Sequence, residues 1–157
     1  MSRIQELAIQ INDDYENKKP IFISVLNGSF MFTSDLIKQI DVQSEIKFIQ
    51  VSSYDGLSST GKINGNLDFG KWLADRHIVF LEDIVDTGNT MSHLIEKVKE
   101  YDPASVEIAT LFFKRNCLEY QIDLKYVGFE IQDEFIVGYG LDYDGLGRNY
   151  QDVYKLV

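Results

Sequence analysis

The chain has 157 residues, with 15 Lys and Arg against 25 Asp and Glu, for a formal net charge of −10. Apolar residues at 45% and charged residues at 25% fit one globular domain and exclude a disordered or fibrous chain. The lone Cys117 excludes an intrachain disulfide or a cysteine metal cluster, the acidic balance disfavours nucleic acid, and no apolar run reaches the roughly 18–20 residues of a membrane span. The opening Met1-Ser2-Arg3-Ile4-Gln5-Glu6 lacks the apolar core of a signal peptide, so a cytoplasmic location is expected. Ile4, Leu7, Ala8, Ile11 and Tyr15 recur at helical spacing and predict an amphipathic helix over 3–17, with Pro20 as punctuation. Ile21 to Leu26 predicts a buried strand, and Asn27-Gly28-Ser29 a turn. Phe32, Leu36, Ile37 and Ile40 return to helical spacing, and Ile46 to Val51 predicts a second strand. The polar stretch from Ser52 to Gly61 has no periodicity and predicts a mobile loop. His77 to Val85 predicts a third strand, the stripe from Met91 to Tyr101 a helix, Ser105 to Phe113 a fourth strand and Leu124 to Glu130 a fifth. From Gln132 onward the chain is irregular and aromatic, and it is expected to fold back over one end of the sheet. Strands alternating with helices predict an α/β fold with a mostly parallel central sheet flanked by helices.

The most informative segment runs Val79-Phe80-Leu81-Glu82-Asp83-Ile84-Val85-Asp86-Thr87-Gly88-Asn89-Thr90. It reads as a buried strand ending in acids, a small polar loop and a helix start. Ligands of open α/β sheets sit beyond the carboxyl ends of the strands. The loop Asp86 to Thr90 aims unpaired N–H groups outward at a helix N-terminus, where they suit one phosphate. Gly88 permits close approach, and Thr87 and Thr90 add hydroxyls. No Gly-Lys-Ser/Thr occurs, so this is not a P-loop. Glu82 and Asp83 can accept hydrogen bonds from a vicinal diol or a metal-bound water. Phosphate on one side and diol on the other describe a ribose 5-phosphate. The plainer reading is a strand-to-helix turn capped by Asp; it leaves two adjacent acids at the end of an apolar strand unexplained.

This pattern resembles the phosphoribosyl pyrophosphate motif of the type I phosphoribosyltransferases. Leu26 to Phe32 resembles the first loop of the hypoxanthine-guanine phosphoribosyltransferases, and Ser52-Ser53-Tyr54 with Ser59-Thr60-Gly61 resembles their flexible catalytic loop. Asp133-Glu134-Phe135-Ile136-Val137-Gly138-Tyr139-Gly140-Leu141-Asp142-Tyr143 resembles their base- and metal-binding tail. The likeness is collinear from about Ile21 to the C-terminus. It implies a type I phosphoribosyltransferase fold in one domain, 1–157, with a small C-terminal hood drawn mainly from about 114–157. The activity implied is transfer of the 5-phosphoribosyl group from phosphoribosyl pyrophosphate to hypoxanthine, guanine or xanthine, releasing pyrophosphate, with Mg²⁺.

By the same resemblance Asp86 is the acid/base at purine N7, while Ser53 and Tyr54 belong to a lid that excludes water. Glu82, Asp83, Asp86, Thr87, Gly88, Asn89 and Thr90 bind the phosphoribosyl group. Asn27, Gly28 and Arg148 bind pyrophosphate, although Asn27 stands where many members carry Lys or Arg. Lys114 reaches purine O6, Phe135 stacks on the base, the Ile136 backbone reads its edge, and Asp142 completes the base site. Glu82, Asp83 and Asp142 are the metal-side carboxylates, and the metal explains how a chain at −10 can take a polyanionic substrate. The Leu26–Asn27 peptide corresponds to one that is cis in many members. A homodimer or homotetramer is implied. Two alternatives remain open: a regulatory protein of the same fold that senses phosphoribosyl pyrophosphate or nucleotides, and an enzyme acting on a pyrimidine. The absence of a Lys/Arg cluster argues against the RNA-binding form of the first. His77, His93, Cys117 and Trp72 take structural readings, having no metal-ligand spacing or partner motif.

Overall fold

The structure, a computed structural model, describes residues 2–52, 64–65 and 69–156. The chain opens with α1 (Arg3–Asp14), β1 (Ile21–Leu26), α2 (Phe30–Ile37) and β2 (Glu45–Ser52). It continues with β3 (Asn64–Gly65), β4 (His77–Val85), α3 (Asn89–Lys99) and β5 (Ser105–Phe113). It closes with β6 (Tyr126–Glu130), β7 (Ile136–Val137) and β8 (Tyr154–Lys155). The main sheet has the order β3-β2-β1-β4-β5-β6, parallel except for the β3 edge. β7 and β8 form a separate antiparallel pair. No helix among the described residues is long and apolar enough to cross a membrane.

Parallel strands are covered on both faces, and alternate side chains divide between two cores. Phe22, Val79, Leu81, Ala109 and Leu111 face α1 and α2, where Leu7, Ala8, Ile11, Phe32 and Leu36 meet them. Ile21, Ile23, Ile78, Phe80 and Ile108 face the other way, against Met91, Leu94 and Val98 of α3. Ser2 caps α1 by accepting from the Gln5 N–H at 3.3 Å. Arg3 then pins the helix to β6 through the Val127 and Gly128 carbonyls, both at 2.8 Å. α1 stops short of the expected residue 17 because Asn17 and Lys19 take positive φ values of 62° and 48°, which turn the chain toward β1. His77 bonds Ser105 Oγ at 2.8 Å and packs on Tyr15, a structural role.

Gly128 lets β6 lie flush against β5. A Cβ there would sit 2.4 Å from the Leu111 carbonyl oxygen, a backbone atom that no rotamer change can move. Gly128→Ala is expected to destabilise the fold by about 1–3 kcal/mol through overpacking. A thermal melt reads this as a lower Tm, and an unchanged Tm would show that β6 can shift freely.

The order β2-β1-β4-β5 means that the chain builds outward from β1 in one direction and from β4 in the other. Between them lies a topological switch point, where open α/β sheets place ligands. The β1–β4 pairing runs from Ile21 with Ile78 to Ser24 with Leu81 and goes no further, whereas β4–β5 pairing continues to Val85 with Phe113. The gap between β1 and β4 therefore opens at Glu82 and Asp83.

Candidate active site

At that gap lies a cleft of about 490 Å³. One wall is the end of β1 and its following turn, Val25 to Gly28. The floor and the other wall are the end of β4, its loop and the first residues of α3, Glu82 to Met91. Asp142 and Arg148 line it from the C-terminal segment. Most of the residues expected from sequence thus share one cavity. The lid residues Ser53 and Tyr54, and the loop over 53–61, lie outside the described residues.

The β1 turn is fixed by a buried hydroxyl cluster. Ser24 Oγ lies 2.8 Å from both Ser29 Oγ and Thr33 Oγ1, and Ser29 donates to the Val25 carbonyl at 2.6 Å. The Leu26–Asn27 peptide, whose form the sequence left open, is cis. Gly28 lies directly on the acid pair: a Cβ there would be 1.7 Å from Asp83 Oδ2. The Gly28 carbonyl in turn touches Gly140, whose own Cβ would be 2.0 Å away.

Gly88, at φ 85°, begins α3 in the left-handed region, with no side-chain cap. The expected alternative of an Asp-capped turn is not what forms, and helix N–H donors stay open to the cleft. Thr87 Oγ1 accepts from the Asn89 N–H at 3.3 Å. The loop is backed by the segment after Lys114, because the Glu119 and Tyr120 N–H groups both donate to the Thr87 carbonyl, at 2.9 and 3.2 Å. Asn89, expected to bind the phosphoribosyl group, has its Oδ1 buried with no partner among the described residues.

Glu82 is buried, and its Oε2 has no hydrogen-bond partner among the described residues. Burial, and then the Asp83 carboxylate beside it, push Glu82 well above the usual carboxylate range. The folded protein therefore holds a proton that the unfolded chain releases above about pH 4.5, so stability falls as pH rises from there toward the folded pKa. Glu82→Gln should remove that slope. In the ligand-free protein its Tm should exceed the parent's at pH 8 and converge with it near pH 4. An equal difference at both pH values would contradict the buried-proton account.

Lys114 stands one residue past β5, where its N–H donates to the Val85 carbonyl at 3.0 Å. Its side chain is 9% exposed and its Nζ donates to Asp86 Oδ2 at 3.0 Å and to Asp133 Oδ1 at 3.3 Å. Burial opposes its charge, but the bonds to Asp86 and Asp133 outweigh that and leave its pKa above the ordinary lysine value. Asp86 keeps 47% of its side chain exposed toward the cleft. Sequence reasoning assigned no role to Asp133.

In the C-terminal segment Arg148 donates to the Gly140 carbonyl at 2.8 Å and pairs with Asp142 Oδ1 at 2.6 Å. Asp142 Oδ2 accepts from the Gly145 N–H at 2.7 Å. Tyr139 donates its hydroxyl to Asp35 of α2, tying this segment to the main fold. Phe135 and Ile136 do not line the cleft. Phe135 is exposed and meets Tyr143 edge-on with ring centroids 5.6 Å apart, while Ile136 belongs to β7.

The carboxylates suit a hard cation. Glu82 offers an unpartnered buried oxygen, and Asp83 and Asp142 offer more on the same cleft. Mg²⁺ takes one or two carboxylates and completes its shell with substrate oxygens and water. That donor set fits, although no three metal-ligating side chains converge among the described residues.

Residues 1–144 match the family described as a phosphoribosyl transferase domain. The hypoxanthine-guanine phosphoribosyltransferase of Streptococcus pneumoniae is 43% identical over 146 residues, covering 92% of this chain and 81% of that one. The corresponding enzyme of Staphylococcus aureus is 43% identical over the same length, covering 92% and 82%. A crystal structure of a hypoxanthine-guanine phosphoribosyltransferase from Bacillus anthracis superposes with a TM-score of 0.91 at 36% identity, over 99% of this chain and 92% of that one.

Proposed function

This chain belongs to the phosphoribosyltransferase family, and from that premise we propose how its cleft carries out the reaction of the hypoxanthine-guanine branch. It is a purine salvage enzyme of that branch. Its substrates are phosphoribosyl pyrophosphate and a 6-oxopurine base. The bond from ribose C1′ to pyrophosphate breaks, the bond to purine N9 forms, and the products are pyrophosphate and a nucleoside monophosphate.

The observation that carries this reading is the gap between β1 and β4. It brings two acids and an open helix N-terminus into one cleft with Asp142 and Arg148. The 5-phosphate sits at the α3 N-terminus on the N–H groups of Thr87 to Thr90, of which that of Asn89 donates to Thr87 Oγ1 in the free protein. Glu82 and Asp83 hold the ribose hydroxyls. The base enters beside Asp86, which exchanges the N7 proton, and Lys114 donates to O6. Phe135 offers its exposed face to the ring. Gly28 and Asn27 take pyrophosphate through backbone N–H groups, and Arg148 takes the charge that builds on it as it leaves. Glu82, Asp83 and Asp142 would hold Mg²⁺, which neutralises charge on the pyrophosphate when bound. By the resemblance, Ser53 and Tyr54, which lie outside the described residues, would help keep water from the ribosyl group.

Binding tests the reading before turnover does. Inosine and guanosine monophosphates should raise Tm more than adenosine, uridine or orotidine monophosphate at equal concentration. A product at about 100 times its Kd adds about 2.7 kcal/mol to the folded state. Equal shifts for all five nucleotides would remove the purine assignment.

A further inference from the structure

We propose that Asp133 is a positioning residue for Lys114, holding its ammonium on the purine O6 when Asp86 turns to the base. The inference rests on the reading of the cleft given above. A lysine ammonium has three N–H donors. Here one goes to Asp86 at 3.0 Å and one to Asp133 at 3.3 Å, which leaves a third for the substrate. The two carboxylates come from separate parts of the fold. Asp86 follows β4 and lines the cleft, whereas Asp133 lies between β6 and β7 and does not line it. When Asp86 engages N7, its hold on Lys114 weakens. An ammonium with only 9% of its side chain exposed cannot be left to water alone, because a buried charge needs a partner. Asp133 is the partner that takes no part in proton exchange. It also stands two residues before Phe135, so the same ion pair ties the O6 donor to the segment carrying the stacking ring.

Steady-state kinetics with hypoxanthine varied at saturating phosphoribosyl pyrophosphate and Mg²⁺ test this. The proteins compared are the parent, Asp133→Asn, Asp133→Glu, Lys114→Gln and the double variant Asp133→Asn/Lys114→Gln. Asp133 is 76% exposed, so its pairing is screened, and Asp133→Asn should raise KM for the base by about 3–10-fold with kcat within about 2-fold. Asp133→Glu, which keeps the charge, should recover most of the parent KM. In the Lys114→Gln background the Asn substitution should add less than about 2-fold, since the partner it holds is gone. A parent-like KM for Asp133→Asn, or an undiminished effect without Lys114, would overturn the inference while leaving the cleft assignment standing. Failure of the parent itself to form nucleotide would bring down the assignment and the inference with it.

Discussion

Asp86→Asn is expected to lower kcat by about 10²–10⁴, the usual reach of general acid–base catalysis. Asn has the same shape, and its side-chain oxygen can still accept from Lys114 Nζ, which lies 3.0 Å from Asp86 Oδ2. What Asn cannot do is take or return a proton at N7. Affinity for phosphoribosyl pyrophosphate should change little, because the proposed phosphate site consists of backbone N–H groups that the substitution leaves in place. Single-turnover kinetics beside equilibrium binding separate the two effects. An unchanged turnover rate would remove Asp86 from proton exchange.

Gly28→Ala should lower kcat/KM by about 10² or more while leaving the fold intact, because a displacement of about 1 Å in a positioned group costs that much. The added Cβ would fall 1.7 Å from Asp83 Oδ2 and 2.6 Å from its Cγ. Neither side can yield easily. Asp83 is held by the Ile84 N–H at 2.9 Å, and the Gly28 carbonyl is packed against Gly140. The displacement therefore falls on Asp83 or on the turn after β1, the groups proposed to hold ribose and pyrophosphate. Far-UV circular dichroism should match the parent, since the turn contributes to neither core. Activity within about 3-fold of the parent would mean that the turn and Asp83 tolerate displacement better than the close packing implies.

The central strands were legible because each is an apolar run bounded by turn residues. Ile21–Leu26, His77–Val85 and Ser105–Phe113 have the bounds that the sequence predicts. Helix ends were less so: α1 ends at Asp14 because positive φ at Asn17 and Lys19 follows from the path into β1, not from the apolar stripe. β3 has two residues and no apolar pattern to betray it. The strand order was not legible at all, and it is the order that opens the gap at Glu82.

The motif from Glu82 to Thr90 is local, so its residues could be named from their types and spacing. Its partners Asp142 and Arg148 could be named only through resemblance, since the aromatic tail has no periodicity to place them. Gly140 and Asp133 stand inside the quoted tail motif but were given no role of their own, for different reasons. Gly140 matters through its contact with the Gly28 carbonyl, made across the fold. Asp133 matters through the Lys114 ammonium, which approaches from β5. Both are contacts that only the folded topology creates.

The most direct measurement incubates the purified protein with Mg²⁺, phosphoribosyl pyrophosphate and, separately, hypoxanthine, guanine, xanthine, adenine, uracil and orotate, and follows nucleotide and pyrophosphate by chromatography. The account predicts nucleotide from hypoxanthine and guanine, with one pyrophosphate released for each nucleotide formed. Product only from adenine, uracil or orotate, or none from any base while phosphoribosyl pyrophosphate still binds, would contradict it.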